Sequence, residues 1–159
     1  MAISRSDMFD EIKKFAKYLS SYVGEDIEVG QVIGPIPLKS LWRDDNSLSD
    51  CVGIYTYSLP SGEVVYVGMG HVRARVWRHL RTPNNLKVEG SLKEQGFPEH
   101  RWGRGVRPEI HEAFSQGTML AAAVPVSPRP LIRALEGFAI WRLMKEPQWL
   151  NARKFFMKF

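Results

Sequence analysis

Apolar residues recur at helical spacing over residues 7–22, where Met8, Phe9, Ile12, Phe15, Ala16, Leu19 and Tyr22 share one face. Ser6 or Asp7 stands at the start as a cap and Gly24 at the end as a stop, so the pattern predicts an amphipathic first helix. From residue 25 to 50 the periodicity breaks up. Gly30, Gly34, Pro35 and Pro37 interrupt short apolar pairs, which predicts irregular structure with one short strand near residues 29–33. Residues 52–59 and 64–68 are rich in β-branched and aromatic types and flank Pro60-Ser61-Gly62-Glu63, predicting a β-hairpin. With the turn centred on Ser61-Gly62, Tyr57 lies opposite Tyr66, and Tyr55 is its diagonal neighbour on the same face.

After Gly68 the apolar stripe Val72, Val76, Leu80 predicts a helix that carries Arg75 and His79 as an i, i+4 pair on an adjacent face. A Pro-, Asn- and Gly-containing stretch follows over residues 82–105, then a short helical pattern through Ile110 and Phe114 that ends near Gly117. Residues 118–126 predict a third long strand, closed by Pro125, Pro128 and Pro130, and residues 131–145 a last helix stopped by Pro147. Within that helix Glu136 sits four residues after Ile132 and four before Ile140, a carboxylate on an otherwise apolar face. Burying a lone carboxylate is costly, so Glu136 requires a metal ion, a cation such as Arg133 or Arg75, or a place at the rim of the core.

With 159 residues the chain is long enough to bury one core, and 44% apolar with 25% charged residues is a globular rather than a disordered composition. No apolar run reaches the length of a membrane span, and the N-terminus has no secretory pattern, so a cytoplasmic protein is expected. A single cysteine, Cys51, excludes an internal disulfide and the usual cysteine-based zinc site, and reads as a small core residue. Twenty-two Lys and Arg against seventeen Asp and Glu give a net charge of +5, which favours an anionic partner. The basic residues cluster: Arg73, Arg75, Arg78 and Arg81 lie in one stretch, and Arg101, Arg104 and Arg107 with Trp102 in another, neither containing an acid. The second run suits phosphate contacts with Trp102 stacking on a base, or else is simply a basic loop.

Gly53-Ile54-Tyr55, an intervening ten residues, Tyr66-Val67-Gly68, Arg75 with His79 four later, and Glu136 with Asn151 fifteen later resemble the catalytic domain of GIY-YIG nucleases. The resemblance covers residues 51–153 and rests on order and spacing. Met69 stands where a lysine or small polar residue is common in that family, and Arg75 is preferred to Arg73 as the phosphate clamp because it keeps the four-residue spacing to His79.

What the resemblance implies is an α+β fold, a small three-stranded antiparallel sheet flanked by helices. Residues 1–50 would form an N-terminal helical and irregular extension and 51–159 the nuclease domain. The implied activity is divalent-metal-dependent endonuclease cleavage of DNA, most simply double-stranded, in restriction, repair or mobile-element biology. The implied ion is Mg²⁺, or Mn²⁺, held by Glu136 and phosphate oxygens. Arg75 would clamp the phosphate, Tyr55 would activate water with Tyr66 in a supporting or alternative role, and His79 and Asn151 would complete the catalytic set. Arg73, Arg78, Arg101, Trp102, Arg104 and Arg107 are the expected nucleic-acid contacts. A dimer would suit a restriction role. Two other readings are a nucleic-acid-binding module that does not cut, and an RNase or toxin nuclease with the same residues.

Overall fold

The computed structural model describes residues 3–43, 45–80 and 108–143. The chain runs α1 (Arg5–Val23), β1 (Glu28–Val29), β2 (Ile33–Pro37), α2 (Leu38–Arg43), β3 (Val52–Ser58), β4 (Val64–His71), α3 (Val72–Leu80), α4 (Pro108–Ser115), β5 (Leu120–Ser127) and α5 (Arg129–Leu143). It is an α+β fold on an antiparallel sheet. The expected sheet of three strands is corrected to five: the order is β1-β5-β3-β4, with β2 also on the outer side of β5. The two extra strands come from the segment where one short strand near residues 29–33 is expected and where Gly and Pro residues obscure the rest. β1 has two residues, and β2 pairs with β5 across a register shift between Ile33 and Ile36, so neither shows a clean period of two.

Alternation along the three long strands sorts their side chains onto two buried faces. Tyr55, Tyr57, Tyr66, Ala121 and Ala123 point to one face, where they pack with Leu38 and Leu41 of α2, Val72 and Val76 of α3, and Ile110 and Phe114 of α4. Ile54, Val67, Ala122 and Val124 point to the other, under α1 and α5. Those two helices also join to each other, through Phe15 stacked on Phe138 at 4.3 Å and Arg142 Nε 2.8 Å from a Glu11 carboxylate oxygen. Because α1 buries Met8, Phe9, Ile12 and Ala16 in this layer, and β2 completes the sheet, residues 3–43 share the sheet and core of the later segments. Cys51 is buried in the opposite layer.

The hairpin has the register its turn predicts, Tyr57 opposite Tyr66 and Tyr55 opposite Gly68, with Val65 as an extra residue on β4. Gly62 N–H donates to the Leu59 carbonyl at 2.8 Å and closes the turn. The first described residues brace it, since Val64 N–H donates to the Ile3 carbonyl at 3.0 Å and Arg5 N–H to that of Gly62 at 3.1 Å. At Gly53 the backbone of β5 comes so close that an added Cβ would overlap the Val124 carbonyl oxygen, and no rotamer can relieve a clash between two backbones. Among the described residues no helix is long and apolar enough to cross a membrane.

Two glycines therefore predict opposite outcomes. Gly53→Ala forces the central strands apart and is expected to cost about 1–3 kcal/mol. Gly137, with open space where a Cβ would lie, sits inside α5, so Gly137→Ala is expected to stabilise by about 0.8–1 kcal/mol. Thermal melts check both, with shifts of about 2–4 °C per kcal/mol at this chain length.

Candidate active site

The hairpin and α3 bring three phenols and an imidazole into one buried cluster. Tyr57 and Tyr66, directly opposite across β3 and β4, stack at 5.2 Å between ring centroids, and Tyr55 lies 5.9 Å from Tyr66 on the diagonal. His79, one turn after Arg75 and buried, meets the Tyr66 ring edge-on at 5.5 Å. The Tyr55 ring fits because its cross-strand partner has no side chain: a Cβ on Gly68 would fall inside that ring. Three tyrosines on one sheet face carry three hydroxyls that must find partners indoors.

Tyr57 finds His79. Its hydroxyl and the imidazole Nδ1 are 2.7 Å apart, and a neutral phenol is the stronger donor of the two, so Tyr57 O–H donates to Nδ1. That leaves the proton of a neutral His79 ring on Nε2. Burial, followed by the field of Tyr66, pushes the Tyr57 phenol well above its usual range and keeps it a donor. Tyr55 is pushed up as well, first by burial, then by the neighbouring Tyr57 and Tyr66 and by a hydrogen bond to Tyr66, while the Arg75 guanidinium pulls the other way. The Tyr55 phenol therefore stands above, not below, the usual range, although Arg75 is near enough to pull it down.

Arg75 is exposed on α3 and its guanidinium lies against Gly70, where an added Cβ would sit 3.3 Å from Nε. Gly70 has φ +113° and turns the end of β4 toward the helix. Glu136 is half-buried on α5, beside the buried positions Ile132, Leu135, Ala139 and Ile140. Desolvation raises its carboxyl above the usual carboxylate range, and the guanidinium groups of Arg133 and then Arg75 oppose that rise. Both cations raised as possible partners on sequence grounds thus act on Glu136. Arg75 is the charge shared by Tyr55 and Glu136, which belong to opposite layers.

Of the expected catalytic set, Tyr55, Tyr66 and His79 pack together as rings, and Arg75 is near enough to Tyr55 and to Glu136 for its charge to act on each. Asn151 lies outside the described residues, as do Arg101, Trp102, Arg104 and Arg107. Arg78 is exposed on α3, and Arg73 on its other flank donates from Nη1 to Asn46 Oδ1 at 2.5 Å. Tyr57 is the member that pattern reading left out of the site. Its signal was present, since the register that set Tyr55 beside Tyr66 set Tyr57 opposite Tyr66 as well. No protein-family model, curated protein or solved structure matches the chain.

A folded-state pKa raised above its unfolded value means that Glu136 contributes most stability below the usual carboxylate pKa and loses it as pH rises through the folded value. Glu136→Gln is therefore expected to be more stable than the parent near pH 7, with the difference closing below about pH 4.5, in thermal melts run across pH without divalent metal. Tyr57→Phe removes the bond to His79 from a buried site and is expected to cost about 1–3 kcal/mol in denaturant unfolding.

Proposed function

We propose that this chain is a divalent-metal-dependent endonuclease of the GIY-YIG kind, hydrolysing phosphodiester bonds in DNA. The observation that carries the reading is the place of Arg75, whose guanidinium acts on both the Tyr55 phenol and the Glu136 carboxyl beside the glycine-bearing end of β4. The three long strands β5, β3 and β4 support the finer fold reading, with β1 and β2 as additions to that unit.

The residues suit a metal of the Mg²⁺ type in a specific sense. Glu136 is a half-buried carboxylate whose ionised form lacks full compensation from Arg133 and Arg75, since desolvation outweighs both. Among the described residues no group of three or more His, Cys, Asp or Glu side chains is gathered to hold a metal. That is compatible with Mg²⁺ or Mn²⁺, because the harder ion in particular keeps several waters and takes remaining ligands from substrate phosphate oxygens rather than from a protein cage. When bound at Glu136 the ion supplies Lewis acidity to the phosphate and the leaving oxygen.

The chain's own residues account for the rest. Arg75 presents a planar fork of donors to a non-bridging phosphate oxygen, a geometry a lysine cannot offer. Water attacks phosphorus as the bond to the leaving oxygen breaks; a tyrosine acting as the phenolate takes up the water's proton, and the leaving oxygen is protonated from solvent. We assign that phenol to Tyr66 rather than Tyr55. Tyr55 is 1% exposed and burial pushes its phenol well above the usual range, whereas Tyr66 is 8% exposed and lies nearer solvent. His79, fixed through Nδ1 by Tyr57, presents its ring to Tyr66 and holds that phenol in position.

Plasmid DNA and RNA incubated with Mg²⁺ or with EDTA test the proposal. DNA cutting that needs the metal is expected, slowed at least about 100-fold in Glu136→Ala and Arg75→Ala. Tyr66→Phe is expected to lose more kcat than Tyr55→Phe. Cutting that survives unchanged in both Glu136→Ala and Arg75→Ala would overturn the assignment.

A further inference from the structure

The outer surface of the α1/α5 layer carries a feature that neither the core nor the proposed chemistry uses. Tyr18 and Tyr22, one turn apart on α1, are 67% and 81% exposed. Tyr18 starts an aromatic run that crosses from one helix to the other. Its ring lies 6.3 Å from Phe15, Phe15 stacks on Phe138 at 4.3 Å, and Phe138 lies 6.1 Å from Trp141, also an exposed position. Rings gathered into one exposed patch, rather than scattered singly, mark a contact surface. The exposed charges beside the tyrosines divide along the helix: Lys14 and Lys17 precede them, and Glu25 and Asp26 follow, just past the Gly24 cap. Ile27 N–H donates to Ser20 Oγ at 2.9 Å, so the chain turns back there and holds both acids at the helix end. That end is already the negative pole of α1, and its last turn contains no basic residue to offset it. The acids of the other half are accounted for within the chain, since Glu11 pairs with Arg142 and Asp7 and Asp10 lie toward the positive pole.

We infer that this face binds a second copy of the chain, with the two α1 helices antiparallel about a two-fold axis close to Ser20. Packing about that point sets Tyr18 of one copy against Tyr22 of the other and brings Lys14 to the end that carries Glu25 and Asp26, each contact occurring twice by symmetry. The basic half of each helix then meets the acidic end of its mate, and Lys14 and Lys17 supply the cations that the last turn lacks. Parallel packing would set lysines against lysines and acids against acids, so charge selects the orientation. No foreign partner is needed to meet both signs, because the patch is complementary to itself. Lys14, Tyr18 and Tyr22 fall within about 80° around the helix axis, a single stripe. Tyrosine suits such a stripe, since the ring covers apolar area while the hydroxyl stays at the wet rim. Phe138 leaves α5 about 200° round from Glu136, so the pairing leaves the carboxylate's side of that helix uncovered. The inference stands apart from the nuclease reading and rests on Tyr18, Tyr22 and the charges that flank them.

Analytical ultracentrifugation of the whole chain over a range of concentrations tests the pairing. A monomer–dimer equilibrium is expected. Tyr18→Ser with Tyr22→Ser is expected to weaken the dimer at least about 30-fold and to leave the melting temperature of the dilute monomer unchanged. Lys14→Glu with Lys17→Glu is expected to weaken it roughly 10-fold. Adding Glu25→Lys and Asp26→Lys to that variant is expected to restore the dimer, because each reversed charge again meets its opposite across the axis. A chain that stays monomeric at every concentration, a dimer indifferent to the tyrosine substitutions, or one that the second pair of reversals fails to restore overturns the inference. Growth into larger species overturns it too, since a two-fold contact closes at two copies. If the tyrosine variant does not fold, the charge reversals decide alone. A Tyr18- and Tyr22-dependent dimer that cuts no nucleic acid would uphold this surface and discard the nuclease reading, and a monomer that cuts DNA would do the reverse.

Discussion

The Tyr55 ring lies across β4 at the one place where that strand has no side chain, and the rest of the site follows from this. A Cβ at Gly68 would occupy the ring's own volume. Displaced, Tyr55 would lose its diagonal approach to Tyr66, and the pair Tyr57–Tyr66 would lose the wall that presses it toward His79. A second glycine two residues on, Gly70, faces the same way and leaves room for the Arg75 side chain to lie back along the strand. The glycines of β4 are thus places where side chains from elsewhere rest on bare backbone. That makes the strand intrinsically weaker and accounts for why it is held from both faces, by α3 on one and α5 on the other.

Filling a core with phenols has an energetic consequence. Each ring buries a large apolar area, yet each hydroxyl entering that core must be matched by a partner or forfeit about 1–3 kcal/mol. The cluster answers this in pairs: Tyr57 bonds His79 at 2.7 Å, and a hydrogen bond joins Tyr55 to Tyr66. The raised pKa values of Tyr55 and Tyr57 come from the same burial that makes them rigid. Glu136 stands apart from this economy, since its two cations do not offset its desolvation. A carboxylate kept at a loss within a folded layer is a common mark of a site shaped for something other than stability.

Legibility in the sequence followed the length and regularity of each element. The hairpin register could be derived because Pro60-Ser61-Gly62-Glu63 specifies a turn and the runs on either side are unambiguous. α1 and α5 could be located to within two residues at their described starts, because their apolar stripes persist for several turns. β1 and β2 were legible only as one short strand near residues 29–33: two residues carry no period, and a strand written Ile-Gly-Pro-Ile-Pro interrupts its own pattern, so its pairing with β5 is decided by tertiary contact. α2, six residues beginning at Leu38, is too short to show a stripe. Within the site, spacing along the chain found Arg75, His79 and Glu136, but it could not find what Tyr57 does. The Tyr57–His79 bond joins a strand to a helix, and which hydroxyl an imidazole faces depends on how those two pack.

The topology also explains why the site's groups come from both layers of the molecule. Tyr55, Tyr66 and His79 belong to the face covered by α2, α3 and α4, while Glu136 belongs to α5 on the other face. A complete sheet would insulate them from each other, because side chains on opposite faces are separated by backbone. β4 is the last strand of the order, and no described strand pairs with its outer side. At its end the backbone carries two glycines, so the barrier there is thin as well as terminal. Arg75 leaves α3 at this border, and its charge reaches Tyr55 on one side and Glu136 on the other. The guanidinium at this end of β4 is thus the charge common to the Tyr55 phenol and the Glu136 carboxyl, and a side chain at Gly70 would push against it.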